Sequence, residues 1–151
     1  MNKNKILIQL SESPNSNFGK EDFLAQSEPQ KVFSAIWEAE GRVNMDGFQF
    51  WFLNGPDESI YFVVEAFKTI GAMNPADVSG RAIAAAFPNG LPTDLGEIPK
   101  AAEQFSEETV AALNSLDQEF MTCPENVTNL LFDFVSKHPE EFGTMPKPDD
   151  A

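Results

Sequence analysis

Apolar residues recur at intervals of three and four in one segment after another, and that spacing restricts the chain to a helical architecture. After Ser27, the residues Val32, Phe33, Ile36, Trp37 and Val43 fall on one face of a helix running to about Val43. Ser27 supplies an N-cap, Pro29 an early proline and Gln30 the reciprocal capping group. Asn44 to Asn54 is apolar nearly all round and reads as a short buried helix, with Phe48, Phe50, Trp51 and Phe52 as core. Asp57 to Gly71 repeats the pattern through Ile60, Val63, Val64, Phe67 and Ile70, with Asp57 as cap and Gly71 as stop. Another helix starts at Asn74-Pro75 and closes at Phe87-Pro88, and Pro88 to Pro99 reads as a loop. Ser106 opens a helix carrying Val110, Leu113, Leu116 and Phe120. Pro124 initiates a last one with Val127, Leu130, Leu131 and Phe134, which Pro139 ends.

The expected fold is all-α: one compact domain of about six helices over residues 27–143. Residues 1–26 read as a weakly ordered N-terminal arm with room for one short strand at Lys5 to Leu10, and residues 144–151 as a loose tail.

Composition narrows the chemistry. A single cysteine, Cys123, excludes an internal disulfide and fits a reducing, cytoplasmic compartment. One histidine, His138, and one cysteine leave no ordinary transition-metal site, and no Gly-rich phosphate cradle occurs, so neither metal nor cofactor is expected. No apolar run approaches a membrane span or a signal-peptide core. His138 reads as a helix C-terminal residue facing the dipole, and nothing places it beside Cys123 as the base of a thiol nucleophile. The expectation is a protein that is not an enzyme.

Two carboxylates interrupt apolar faces. Glu40 stands in the middle of the first helix's apolar face, one turn before the Asn44 to Gly47 turn, and is expected to cap the free amides that begin the next helix. Asp117, at the edge of its helix's apolar face, has the same structural reading. Glu40, Asn44, Gly47, Trp37, Phe48 and Asp117 are therefore assigned to the scaffold.

The formal net charge is −14, from 24 acidic and 10 basic residues. Residues 1–31 contribute nothing net, so the excess falls on the helical part, with eight acids and one base between Asp94 and Glu125. Such a balance disfavours direct binding to nucleic acid or anionic membrane and steers basic proteins inward. Helical placement puts Glu38, Glu58, Glu65, Glu107, Glu108 and Glu119 on solvent faces, and Glu97, Glu103 and Glu125 in loops or first turns. These nine are the candidate partner-binding residues. Carboxylates three or four residues apart on a helix lie about 5–6 Å apart, a spacing able to approximate part of a phosphate array.

Four stretches resemble a known family: Ile36-Trp37-Glu38-Ala39-Glu40-Gly41-Arg42-Val43-Asn44, Gly47-Phe48-Gln49-Phe50-Trp51-Phe52-Leu53-Asn54, Ala66-Phe67-Lys68-Thr69-Ile70-Gly71-Ala72 and Leu116-Asp117-Gln118-Glu119-Phe120. Their order is similar to that of a bacterial family of small helical proteins, largely of unknown function, named from a member described as a DNA mimic. The resemblance spans about residues 30–143, including Lys137-His138-Pro139-Glu140-Glu141-Phe142, and departs from the family pattern at Met45 and Asp46. It implies a non-enzymatic protein that occupies the DNA-binding surface of a basic partner such as a helix-turn-helix regulator, and a homodimer is compatible with it. The alternative is an interaction or immunity-type protein whose acidity serves solubility alone.

Overall fold

The computed structural model describes residues 1–12 and 22–149, and among these residues every regular element is helical. Eight α-helices follow in order: α1 Lys3–Glu12, α2 Glu28–Leu53, α3 Val63–Thr69, α4 Met73–Ala86, α5 Glu97–Ala102, α6 Glu107–Met121, α7 Val127–Ser136 and α8 Pro139–Phe142. Single 3₁₀ turns at Phe23–Ala25 and Glu58–Phe62 precede α2 and α3.

Helix α2 is the spine, and its apolar stripe buries Phe33, Ala35, Ile36, Ala39 and Val43 completely. Its start is held by the expected capping box: the Gln30 amide donates to Ser27 Oγ, and the Ser27 amide donates to Gln30 Oε1. Gln30 also donates its Nε2 to the Glu141 carbonyl at 3.0 Å, tying the start of α2 to α8. Helix α6 packs against both α2 and α4, α3 fits between α2 and α4, and α7 lies against α1, α2 and α8. Where these helices meet, Phe48, Phe52, Phe67, Phe87, Phe105 and Phe120 form edge-on aromatic contacts at centroid distances of 5.3–6.3 Å.

The two helices read on either side of residues 44–47 are one helix in two parts, broken at Gly47 alone (φ +84°, ψ +169°). Met45 and Asp46, where the family pattern is departed from, are still helical and exposed, so they leave the break undisturbed. Phe48, Trp51 and Phe52 are buried as expected, but Phe50 is 47% exposed, because the second part of α2 has a solvent face.

The strand at Lys5 to Leu10 is corrected: this stretch is α1. Ile6, Ile8 and Leu10 alternate as in a strand, yet Leu7 completes a helical stripe with Ile6 and Leu10, and those three are buried while Ile8 is exposed. Asn2 caps the helix, its Oδ1 accepting from the Lys5 amide at 2.9 Å. The arm residues around Pro14 to Asn17 lie outside the described residues. The Pro88 to Pro99 loop is also shorter than expected, since α5 begins at Glu97 with Pro99 in its first turn, where the missing N–H needs no partner. Pro139 starts α8 rather than only ending α7. In the tail, Met145 packs against the core and the Asp149 amide donates to the Met1 carbonyl.

Candidate functional site

Helix formation itself governs where the nine candidate acids sit. Glu58, Glu65, Glu97, Glu107 and Glu108 each occupy the first turn of a helix or 3₁₀ turn, where a carboxylate faces the positive end of the helix dipole. Glu107 and Glu108 follow the N-cap Ser106, whose Oγ accepts from the Thr109 amide. Both are exposed and, with Glu103 at the end of α5, form no ion pair among the described residues.

Four of the others are paired. Arg42 holds Glu38 at 3.0 Å, Lys68 holds Glu65 at 3.6 Å and Lys100 holds Glu97 at 3.3 Å. Arg81 clamps Glu119 with two hydrogen bonds, 2.7 and 3.1 Å, and also reaches Asp77. The clamp pulls the Glu119 carboxyl below its usual range. Glu38 and Glu58 are half-buried, and with Asp22 and Asp57 they line a concavity of about 600 Å³ containing no described Lys or Arg. Asp22 and Asp57 are members of this acidic set that sequence reasoning missed, because Asp57 carries the signal of a cap and Asp22 meets it only through the fold.

Glu125 is a structural residue as well as an acidic one. Its two oxygens accept from the Met73 and Asn74 amides at 2.7 and 2.9 Å, capping α4, whose own N-cap residue, Ala72, has no side-chain acceptor. Glu125→Ala is expected to lower stability by about 1–2 kcal/mol, read as a lower urea midpoint, with Glu125→Gln intermediate. An unchanged midpoint in the alanine variant would remove Glu125 from the scaffold.

The cap expected of Glu40 belongs to Asp117. The Phe48 amide, first of the second part of α2, donates to Asp117 Oδ1 at 2.8 Å from α6. Glu40 instead accepts from its neighbour Asn44, Nδ2 to Oε2 at 2.8 Å, because both side chains rise from the same turn of α2 while the free amide lies beyond the break. Burial pushes both carboxyls above their ordinary values, against the lowering effect of those hydrogen bonds. Phe48 is buried in the core, against which Trp37 packs, Gly47 forms the break, and Asn44 is exposed beside Glu40.

His138 lies just beyond the end of α7, at the N-cap of α8, and folds back on α7 with its Nδ1 2.8 Å from the Phe134 carbonyl and its ring against the Phe134 ring. Cys123 lies apart from that contact, its thiol against the carbonyl and carboxylate of Glu125. Burial pushes the thiol upward, the opposite of an activated nucleophile. No group of His, Cys, Asp and Glu able to hold a metal ion occurs among the described residues, and no helix among them is long and apolar enough to cross a membrane.

The family model for DMP19-like proteins, DMP19 being DNA mimic protein 19, matches residues 25–138. The chain belongs to the DMP19-like family. The match takes in α2 through α7, the Gly47 break with its Asp117 cap, and all nine candidate acids; α1 and α8 lie outside it. No curated protein and no solved structure matches the chain.

Proposed function

We propose that this DMP19-like protein is a non-enzymatic interaction protein that occupies the DNA-binding surface of a basic protein, such as a helix-turn-helix regulator, with exposed carboxylates in place of phosphates. The observation that carries the reading is the charge excess of −14 within a member of a family named for DNA mimicry. The unpaired, exposed acids are the ones available to a partner, and Glu103, Glu107 and Glu108 follow one another across the junction from α5 to α6. Glu97 and Glu65 add charge shared with a lysine, while Glu119 and Glu38 are largely committed to arginines.

The test is an affinity capture from host lysate, followed by anisotropy titration of the captured protein on labelled duplex DNA. A basic DNA-binding protein is expected, released by moderate salt and by duplex. Replacing Glu103, Glu107 and Glu108 together with Lys should weaken its binding at least tenfold. Those side chains are exposed, so the fold should persist, with a loss of about 1–2 kcal/mol from placing positive charge at the start of α6. Glu103→Lys alone, outside that first turn, controls for it. A captured partner whose affinity is the same at low and high salt would point instead to recognition by shape and apolar contact, with the acidity serving solubility.

A further inference from the structure

A second cleft, of about 580 Å³, opens between α1, the middle of α2 and the connection from α6 to α7. Its wall combines Glu40, Asn44 and Trp37 from α2 with Ile8 from α1 and Met121 and Cys123 from the end of α6 and beyond. No lysine or arginine lines it, so an anion entering it meets no positive charge. Glu40 is half-buried there, and only one of its oxygens is engaged, by Asn44; Oε1 has no hydrogen-bond partner among the described residues. With no cation beside it, burial holds the Glu40 carboxyl above its ordinary value, the condition that an incoming positive charge relieves.

The outer wall is mixed: Ile8 is 36% exposed and Met121 46%, and the exposed Asn4 and Asn126 stand with them. Apolar side chains beside a carboxylate fit a long aliphatic stem ending in a cation, and the side-chain amides offer further acceptors. Trp37, packed on Phe33 at 5.4 Å, adds an aromatic wall, which favours a planar, weakly hydrated guanidinium over a compact ammonium.

We propose that this cleft receives an arginine side chain of the partner protein, with Glu40 and Asn44 accepting from its guanidinium. The inference rests on the reading of a basic partner, but its test needs none. The probe is N-acetyl-arginine amide, titrated into the isotope-labelled protein and followed by nitrogen–proton correlation spectra. Controls are the uncharged isostere N-acetyl-citrulline amide, N-acetyl-lysine amide, and the variant Glu40→Gln. Saturable shifts at the Trp37 indole, Asn44 and Cys123 are expected for the arginine probe, at least tenfold weaker for citrulline and lysine and in the variant. Alkylation of Cys123, the chain's single cysteine, should slow as the arginine probe saturates. This protection is read on the wild-type protein and so stands even if Glu40→Gln misfolds. Equal responses to arginine and citrulline, equal responses to arginine and lysine, or no saturable response would overturn the assignment. Failure of the DNA-displacement experiment with a positive arginine titration would remove the mimicry and leave the cleft.

Discussion

Gly47→Ala is expected to lower stability by about 3–5 kcal/mol, a large share of the roughly 5–15 kcal/mol that holds a domain of this size together. Two independent effects coincide at this position. The backbone at φ +84°, ψ +169° lies in a region essentially restricted to glycine, so any side chain strains it by about 1–3 kcal/mol. An added Cβ would also stand 2.5 Å from Asp117 Oδ2, inside contact distance, and Asp117 cannot retreat without releasing the Phe48 amide. Urea unfolding would show the midpoint falling sharply. In the double variant Gly47→Ala, Asp117→Ala the overlap is gone, so the combined loss should be smaller than the sum of the two single losses. An alanine variant with the wild-type midpoint would mean the break in α2 does not need glycine.

Asp117→Ala carries the second-largest expected effect, about 1–3 kcal/mol, because the Phe48 amide would be left in the interior without an acceptor. Asp117→Asn keeps an acceptor oxygen and should lose much less. The two also differ with pH. Burial raises the folded-state pKa of Asp117 above its unfolded value, so the folded protein holds this proton more tightly than the unfolded chain. The resulting stabilisation is fully present below the unfolded pKa and is lost as pH rises through the folded pKa. Glu40 is shifted in the same direction and acts likewise. Glu119, held below its usual range, acts in the opposite sense in both proteins, so thermal melts across the weakly acidic range should show the wild type gaining stability relative to Asp117→Asn as pH falls. Parallel profiles for the two proteins would remove Asp117 from this effect.

Much of the fold was legible because the signals were local. The Ser27 and Gln30 box, the caps at Asp57 and Ser106 and the stop at Gly71 all depend on residues a few positions apart, and each acts as its sequence neighbourhood predicts. The misreadings involve partners far away in the chain. Glu40 is the carboxylate on the apolar face that precedes the Gly47 break in sequence, whereas the one that reaches the break in space is Asp117, 69 residues beyond Phe48. The cap of α4 comes from Glu125, about 50 residues on, and no spacing rule connects them. Helix α1 was missed for the same reason: its apolar residues satisfy two periods, and packing against α7 decides between them. Periodicity could not separate Glu103, Glu107 and Glu108, which form no ion pair among the described residues, from Glu119 or Glu125, which the scaffold already uses, or from Glu38 and Glu58, which are half-buried.

The cleft at Glu40 has walls of two different origins. The sides contributed by α2 and by residues 120–131 lie wholly within the stretch shared with the family, whereas Asn4, Leu7 and Ile8 come from a helix that precedes that stretch. Replacing residues 1–12 would thus remodel one side of the recess while leaving the common framework intact. On the proposal that the recess receives a partner's arginine, selectivity would diverge at the amino-terminal helix alone, without any change to the core that makes the fold.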